Sequence, residues 1–407
     1  MTDRLRSQYE AYPYPARNPA DEDKRLLVGS PSHLTELTHY VFGGRLERRP
    51  LRVLVAGGGT GDAAIMIATQ LTTAKIEGQV TYLDLSDTAR AIAQARAERR
   101  RLTNIEFHQG SLLELGGLGP FDYIDCCGVL HHLDDPAAGL RSLAGVLAPG
   151  GGLGTMVYAP YGRSGVYPLQ AALRPLTAAL PPTEQIAVAR RLLRFLPETN
   201  LFKHNRYLTD HNTSDAGLYD LLLHSCDRPY TVAELAQLVG NCGLAITALI
   251  EPARYRPDSY LRDPKLLQQL NTLPWLEQAA WAEQISGAIT KHIAYLTRPE
   301  DAAAAVAQPD RPEVIPVLHD LDGLALALAL PPGEALEAEL HGTVLSLPLP
   351  RAAGAMLSRI NGQATLGEIH QQIAAMTCQP PSWEHFLPKF QQLYAALNGI
   401  GKLFLRC

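Results

Sequence analysis

The 407-residue chain contains no apolar run approaching the ~18 residues that would span a bilayer, and its opening, Met1-Thr2-Asp3-Arg4-Leu5-Arg6, has no apolar signal core. These two absences lead to the expectation of a soluble, cytoplasmic protein without a membrane partner. Paired cysteines are also missing. The six present are scattered without a C-x-x-C spacing, which argues against a zinc ribbon and a disulfide framework. Nor is positive charge in surplus: charged residues make up 19% and the net charge is -5, so no basic surface is offered to a nucleic-acid backbone. The one local exception, Arg96, Arg99, Arg100 and Arg101, reads as the solvated end of a helix rather than an RNA contact. With 46% hydrophobic residues, the chain has the makings of a substantial core spread over two or three domains.

The most informative stretch runs from Val53 to Asp62, where an apolar β run ends in Gly57-Gly58-Gly59-Thr60-Gly61 and a helix from Ala63 to Leu71 is expected to follow. Glycines at a strand-to-helix turn permit positive φ and let a ligand approach bare backbone, while the helix start offers free N–H groups. Dinucleotide sites and the nucleoside sites of methyl donors share this geometry, so the glycines alone do not choose between them. Three further strands are expected over 79–86, 104–111 and 121–127. The first places Asp84 and Leu85 at its end, where a carboxylate can accept both hydroxyls of a ribose. The second runs into Gly110-Ser111-Leu112, and the third into Gly128-Val129-Leu130-His131-His132-Leu133-Asp134-Asp135-Pro136.

Taken in order, AGGGTGD, YLDLS, HQGSLLEL, FDYIDCCGVLHHLDDP, a helix ending LAPGG and the strand GLGTMVYAP resemble the class I S-adenosylmethionine-dependent methyltransferases. The resemblance implies an α/β fold: a Rossmann-like, seven-stranded sheet whose last strand, within Lys291 to Pro299, returns antiparallel between the fifth and sixth. It implies S-adenosyl-L-methionine as cofactor, S-adenosyl-L-homocysteine as product, and no metal. It also implies that Gly57, Gly58, Gly59 and Gly61 form the turn under the donor's methionine and ribose, that Asp84 and Leu85 meet the ribose, and that Gly110, Ser111 and Leu112 meet the adenine. Ser111 stands where the family usually has Asp. Gly128 would lie beside the transferable methyl. An Asn/Asp-Pro-Pro-Tyr sequence after the fourth strand is absent, which disfavours methylation of DNA adenine or glutamine.

Candidates for chemistry are His131 and His132, either of which as a neutral imidazole can take a proton, and Tyr14. A structural loop role for the paired histidines is the stronger reading. Tyr9, Tyr12, Tyr14, Tyr158 and Tyr161 can supply aromatic walls or cation–π contact to a sulfonium. Tyr9 to Pro19, paced by prolines, cannot form a regular helix; a similar YPYP arm precedes the donor core in one bacterial subgroup of the family. The expected organisation is therefore an arm and helix over 1–49, a donor domain over 50–299 with an inserted helical cap at 161–227, a linker at 300–312, and a last domain over 313–407. That last domain is expected to carry a β pair (Leu324 to Leu330 with Thr343 to Leu347) and two helices. Its phrase LSRINGQATLGEIHQQI is similar to PqqD-like and other winged-helix peptide-recognition domains, which favours a protein or peptide acceptor over a small molecule; the oligomeric state stays open.

Overall fold

The computed structural model describes residues 9–46, 50–340 and 342–407; the expected start of the chain, Met1 to Gln8, lies outside them. Seven strands form one sheet in the order β3-β2-β1-β4-β5-β7-β6. They are β1 (Leu51–Ala56), β2 (Gly78–Asp84), β3 (Ile105–Gln109), β4 (Phe121–Cys127), β5 (Leu147–Tyr158), β6 (Ala245–Leu249) and β7 (Lys291–Thr297). Strands β1 to β5 pair in parallel and β6 with β7 antiparallel, as the resemblance implied. β1 and β4 are buried along nearly their whole length because a parallel strand inside a doubly covered sheet is covered on both faces. Such a sheet presents its ligand crevice at the carboxyl ends of the strands, where the order reverses.

The connecting helices begin where local chemistry supplies acceptors for their free N–H groups. α1 (Asp62–Ala74) starts after Gly61 at φ 100°, a left-handed conformation that a side chain rarely adopts. α2 (Asp87–Arg99) is capped by the Ser86 hydroxyl, α3 (Pro136–Gly145) by Asp135. LAPGG, expected at the end of that helix, lies inside β5 instead. Helix α3 stops at Gly145, and Leu147 is already paired with Phe121. After β5 come α4 (Val166–Thr177), α5 (Pro182–Arg194) and α6 (Asp215–Leu222), whose apolar faces share a core of Leu169, Leu173, Ile186, Phe202, Leu218 and Leu222. α7 (Val232–Asn241) opens with the expected capping box of Thr231 and Glu234.

The described chain divides into two compact units, the first holding 9–34, 50–244 and 287–293, the second 35–46, 245–286 and 294–407. The division therefore runs through β7 rather than at the proline-rich stretch near 300–312. That stretch is packed, not free: it contains the short helix Ala302–Ala305, Ala305 and Ala307 are buried, and the Ala307 N–H donates to the His39 carbonyl at 2.8 Å. In the second unit, α8 (Trp275–Ser286) precedes β7, and β8 (Ile315–Leu318) pairs with β11 (Leu403–Arg406). A hairpin joins β9 (Ala335–Leu340) to β10 (Thr343–Pro348). Leu324 to Leu330 is not a strand, contrary to the sequence expectation: Gly323–Ala329 is helical, with the Asp322 carboxylate accepting from Leu324 and Ala325 N–H. Its Leu/Ala alternation imitates a strand, but alanine and leucine are strong helix formers and the cap decides. α9 (Leu366–Ala374) and α10 (Trp383–Gly399) then pack Leu366, Ile369, Phe386, Phe390 and Leu397 into one core.

The capping box of Thr365 and Glu368 at the start of α9 satisfies two orphan donors at once. Thr365→Ala is expected to cost about 1 kcal/mol of the second unit's stability; chemical denaturation checks it.

Candidate active site

The carboxyl ends of β1, β2, β3 and β4 meet around a cavity of about 480 Å³ within the first unit. Gly57, Gly58 and Gly59 line it from the end of β1, Asp84 and Leu85 from β2, Gly110, Ser111 and Leu112 from β3, and Gly128 from β4. Every cofactor-site candidate except Gly61 therefore faces this one space, and Gly61 serves as the residue that starts α1. Gly59 has φ 51°, and a Cβ there would sit 2.9 Å from the Tyr14 carbonyl, so the approach of the N-terminal arm itself demands glycine.

Asp84 is fixed before any ligand arrives. Its Oδ2 accepts from the Gly59 N–H at 2.7 Å and its Oδ1 from the Ser86 N–H at 2.8 Å. Burial pushes its carboxyl above the usual carboxylate range, against the pull of these amides. Each oxygen retains acceptor capacity toward the cavity.

The arm, 9–19, is stitched over the site. The Glu10 carboxylate accepts from the Asp87 N–H at 2.6 Å and the Thr88 N–H at 3.1 Å, at the start of α2. The Thr60 hydroxyl donates to the Pro15 carbonyl at 2.7 Å. Arg17 grips Asp62 with Nε to Oδ1 at 2.9 Å and a terminal nitrogen to Oδ2 at 2.5 Å. Behind them Arg96, only 1% exposed, reaches Glu22 Oε1, Asp62 Oδ1 and the Thr60 carbonyl, each at 2.7 Å. Arg99 pairs with Asp23 and Arg100 with Glu22. Of the arginines read as a solvated helix end, Arg99 and Arg101 are exposed as expected, whereas Arg96 and Arg100 turn inward onto Glu22, which lies more than seventy residues away in sequence. Burial opposes ionisation of Asp62, yet Arg17 and Arg96 outweigh it and hold the carboxyl below its usual range.

His132 and Tyr14 line the cavity; His131 does not. His131 is fully buried, its ring 4.2 Å from that of Tyr158, and burial followed by the neighbouring His132 and Arg163 drives its imidazole far below the usual histidine range. It stays neutral and walled off. Tyr14 is held protonated, since burial and the nearby Asp220 carboxylate raise its phenol well above the ordinary value. It can donate a hydrogen bond but not act as a base near neutral pH. Of the other tyrosines, Tyr9 and Tyr158 line the cavity, Tyr12 stacks on Tyr219 at 5.3 Å, and Tyr161 is exposed.

Among the polar cavity residues that no motif singled out are Ser32, Asp125, Asp220 and Lys291. The Ser32 hydroxyl donates to Asp125 Oδ2 at 2.6 Å, and burial lifts Asp125 to about 6. A carboxyl raised on folding gives stability that is whole below its unfolded value and lost as pH climbs through the folded one. The first unit is therefore expected to lose up to about 3 kcal/mol between roughly pH 4 and 6 through Asp125. Asp125→Asn should remove that slope in pH-dependent denaturation.

Two side-chain groups bring metal-type ligand atoms within 4.8 Å: His131, His132 and Asp227, and His132, Asp220 and His224. In the second, both ring nitrogens of His224 are already engaged, Nδ1 by the Cys226 N–H at 3.1 Å and Nε2 by the Tyr9 hydroxyl at 3.2 Å.

Residues 54–153 match the family model described as a methyltransferase domain. An uncharacterized protein of Synechococcus is 32% identical over 272 residues, 63% of this chain and 62% of its own length, so the chain spans less than two thirds of that relative. The ubiquinone biosynthesis O-methyltransferase of Albidiferax ferrireducens is 34% identical over 80 residues, 19% of this chain and 32% of its own. Among solved structures, PKMT2 of Rickettsia typhi superposes with a TM-score of 0.63 at 14% identity, covering 92% of this chain and 75% of that one. Its complex with AdoHcy gives 0.62 at 16% identity, with the same coverage. At these identities the likeness is one of fold.

Proposed function

We propose, from the premise that residues 54–153 form a class I S-adenosylmethionine-dependent methyltransferase domain, that the protein methylates a protein or peptide side chain from a donor bound in the β-strand-end cavity. The observation that carries the reading is the convergence of the glycine turn, the pre-oriented Asp84 carboxylate and the Gly110–Leu112 turn on one space. Asp84 accepts the two ribose hydroxyls, Gly110 to Leu112 cover the adenine with the Ser111 hydroxyl as the one polar side chain, and Gly57 to Gly59 let the donor lie against backbone.

When bound, S-adenosylmethionine supplies a methyl group already activated by the sulfonium charge. The protein's task is then alignment and exclusion of water. The arm, pinned by Glu10, Thr60, Arg17 and Arg96, does the second of these by roofing the donor end. Gly128, at φ 77°, keeps the end of β4 free of a side chain where the methyl would be presented.

A PKMT2-like fold over most of the chain supports a macromolecular acceptor. The short match to a ubiquinone-pathway O-methyltransferase favours a small-molecule acceptor instead. Methyl-labelled donor added to cell lysate with the purified protein separates them: label in the macromolecular fraction is expected, and label confined to small molecules would overturn the acceptor assignment. Label in neither, with S-adenosylhomocysteine still binding, would mark a donor-binding scaffold.

A further inference from the structure

Asp220 and His132 also line the cavity. His132 Nδ1 donates to the Cys226 carbonyl, an obligate acceptor, at 2.8 Å, which leaves Nε2 as the ring nitrogen that can exchange a proton. That Nε2 is 3.9 Å from Asp220 Oδ1, too far for a hydrogen bond. Two groups that can accept a proton therefore line one cavity without bonding each other.

Burial pushes the Asp220 carboxyl above its usual range, with His132, the Tyr158 hydroxyl and Arg163 pulling it back. Asp220 is 5% exposed, and its partners are the neutral Tyr158 hydroxyl, donating to Oδ2 at 2.9 Å, and His132. Arg163, whose guanidinium lies 3.6 Å over the Tyr158 ring, is engaged with Asp227 at 3.3 Å. Among the described residues no lysine or arginine makes an ion pair with Asp220. A carboxyl buried in this way takes up a proton readily, and its ionised form is favoured when a ligand supplies a cation. Tyr9, Tyr14 and Tyr158 line the same cavity, and tyrosine faces attract cations.

Resting on the methyltransferase reading above, we propose that the acceptor is an aliphatic primary amine, bound as its ammonium between Asp220 and His132 Nε2. An ammonium has three N–H donors, enough to reach both acceptors at once. Before transfer it gives up one proton to this pair; the freed nitrogen lone pair then forms the N–CH₃ bond as the sulfur–methyl bond breaks, and the sulfur keeps that bonding pair as a neutral thioether. The product is an N-methylammonium, and the abstracted proton leaves through Asp220 or His132. Asp220 and His132 are catalytic residues in this scheme.

The test uses the full chain and methyl-labelled S-adenosylmethionine with four probes: a lysine peptide, the same peptide with norleucine for lysine, a lysine-free peptide with an open N-terminus, and putrescine. With their N-termini blocked and the lysine amine free, the lysine and norleucine peptides test the chemistry on the unaltered protein. The open peptide and putrescine tell a terminal or small-molecule amine from a side chain. Label is expected in at least one amine probe and not in the norleucine peptide. Asp220→Asn should lower that transfer by about 100-fold or more while S-adenosylhomocysteine affinity stays within about threefold. Three results would overturn the inference: no label in any amine probe although S-adenosylhomocysteine binds; an Asp220→Asn protein as active as the original; or a variant that loses S-adenosylmethionine but not S-adenosylhomocysteine, which would place Asp220 at the sulfonium. Failure of the original protein to bind S-adenosylhomocysteine at all would instead remove the methyltransferase reading.

Discussion

Asp84→Asn is expected to weaken S-adenosylhomocysteine binding by about 100-fold or more, measured by calorimetric titration. A carboxylate accepting two ribose hydroxyls makes charge-assisted bonds of about 1.5–3 kcal/mol each, and an amide keeps only one accepting atom. The same substitution also disturbs the turn. Asp84 now accepts from the N–H groups of both Gly59 and Ser86, and the amide nitrogen of asparagine would confront one of them donor to donor. The loss should appear chiefly in donor affinity, because Asp84 lines the cavity, with a smaller loss of stability from the disturbed turn.

Arg96→Ala should produce the largest loss of stability. Arg96 and Glu22 are 1% and 3% exposed, and the arginine also holds Asp62 and the Thr60 carbonyl. Removing one partner of a buried pair strands the other charge at a cost of about 3–5 kcal/mol. For a unit of this size that corresponds to a melting temperature lower by on the order of 10 °C. Arg100 retains one contact to Glu22 and softens the effect. Because the same arginine clamps the arm that roofs the cavity, donor affinity should fall along with stability. Arg99→Ala, whose pair with Asp23 is half exposed, should change stability by less than about 1 kcal/mol.

The contrast between these two arginines shows where sequence reasoning ran out. Strand β4 was legible to the residue, from Phe121 to Cys127, because Phe121, Tyr123 and Ile124 lie between the breakers Pro120 and Gly128, although Asp122 and Asp125 interrupt its apolar character. The glycine turn, Asp84 and the capping box at Thr231 are local patterns, complete within a few residues. Arg96 is also local in appearance, yet its meaning depends on Glu22 and Asp62, which no periodicity connects to it. Asp125, Asp220 and Lys291 reach the cavity from apolar or helical contexts that carry no motif. The helix at Gly323–Ala329 was misread because alternation of leucine and alanine satisfies a period of two as readily as a helix, and only Asp322 at its start tips the balance.

The most direct test of the central claim is a crystal structure of the protein with S-adenosylhomocysteine. The account requires the ribose hydroxyls on the Asp84 carboxylate, the adenine against Gly110 to Leu112, and the thioether sulfur turned toward Gly128. An adenosine bound elsewhere, or a cavity left empty at saturating ligand, would contradict it.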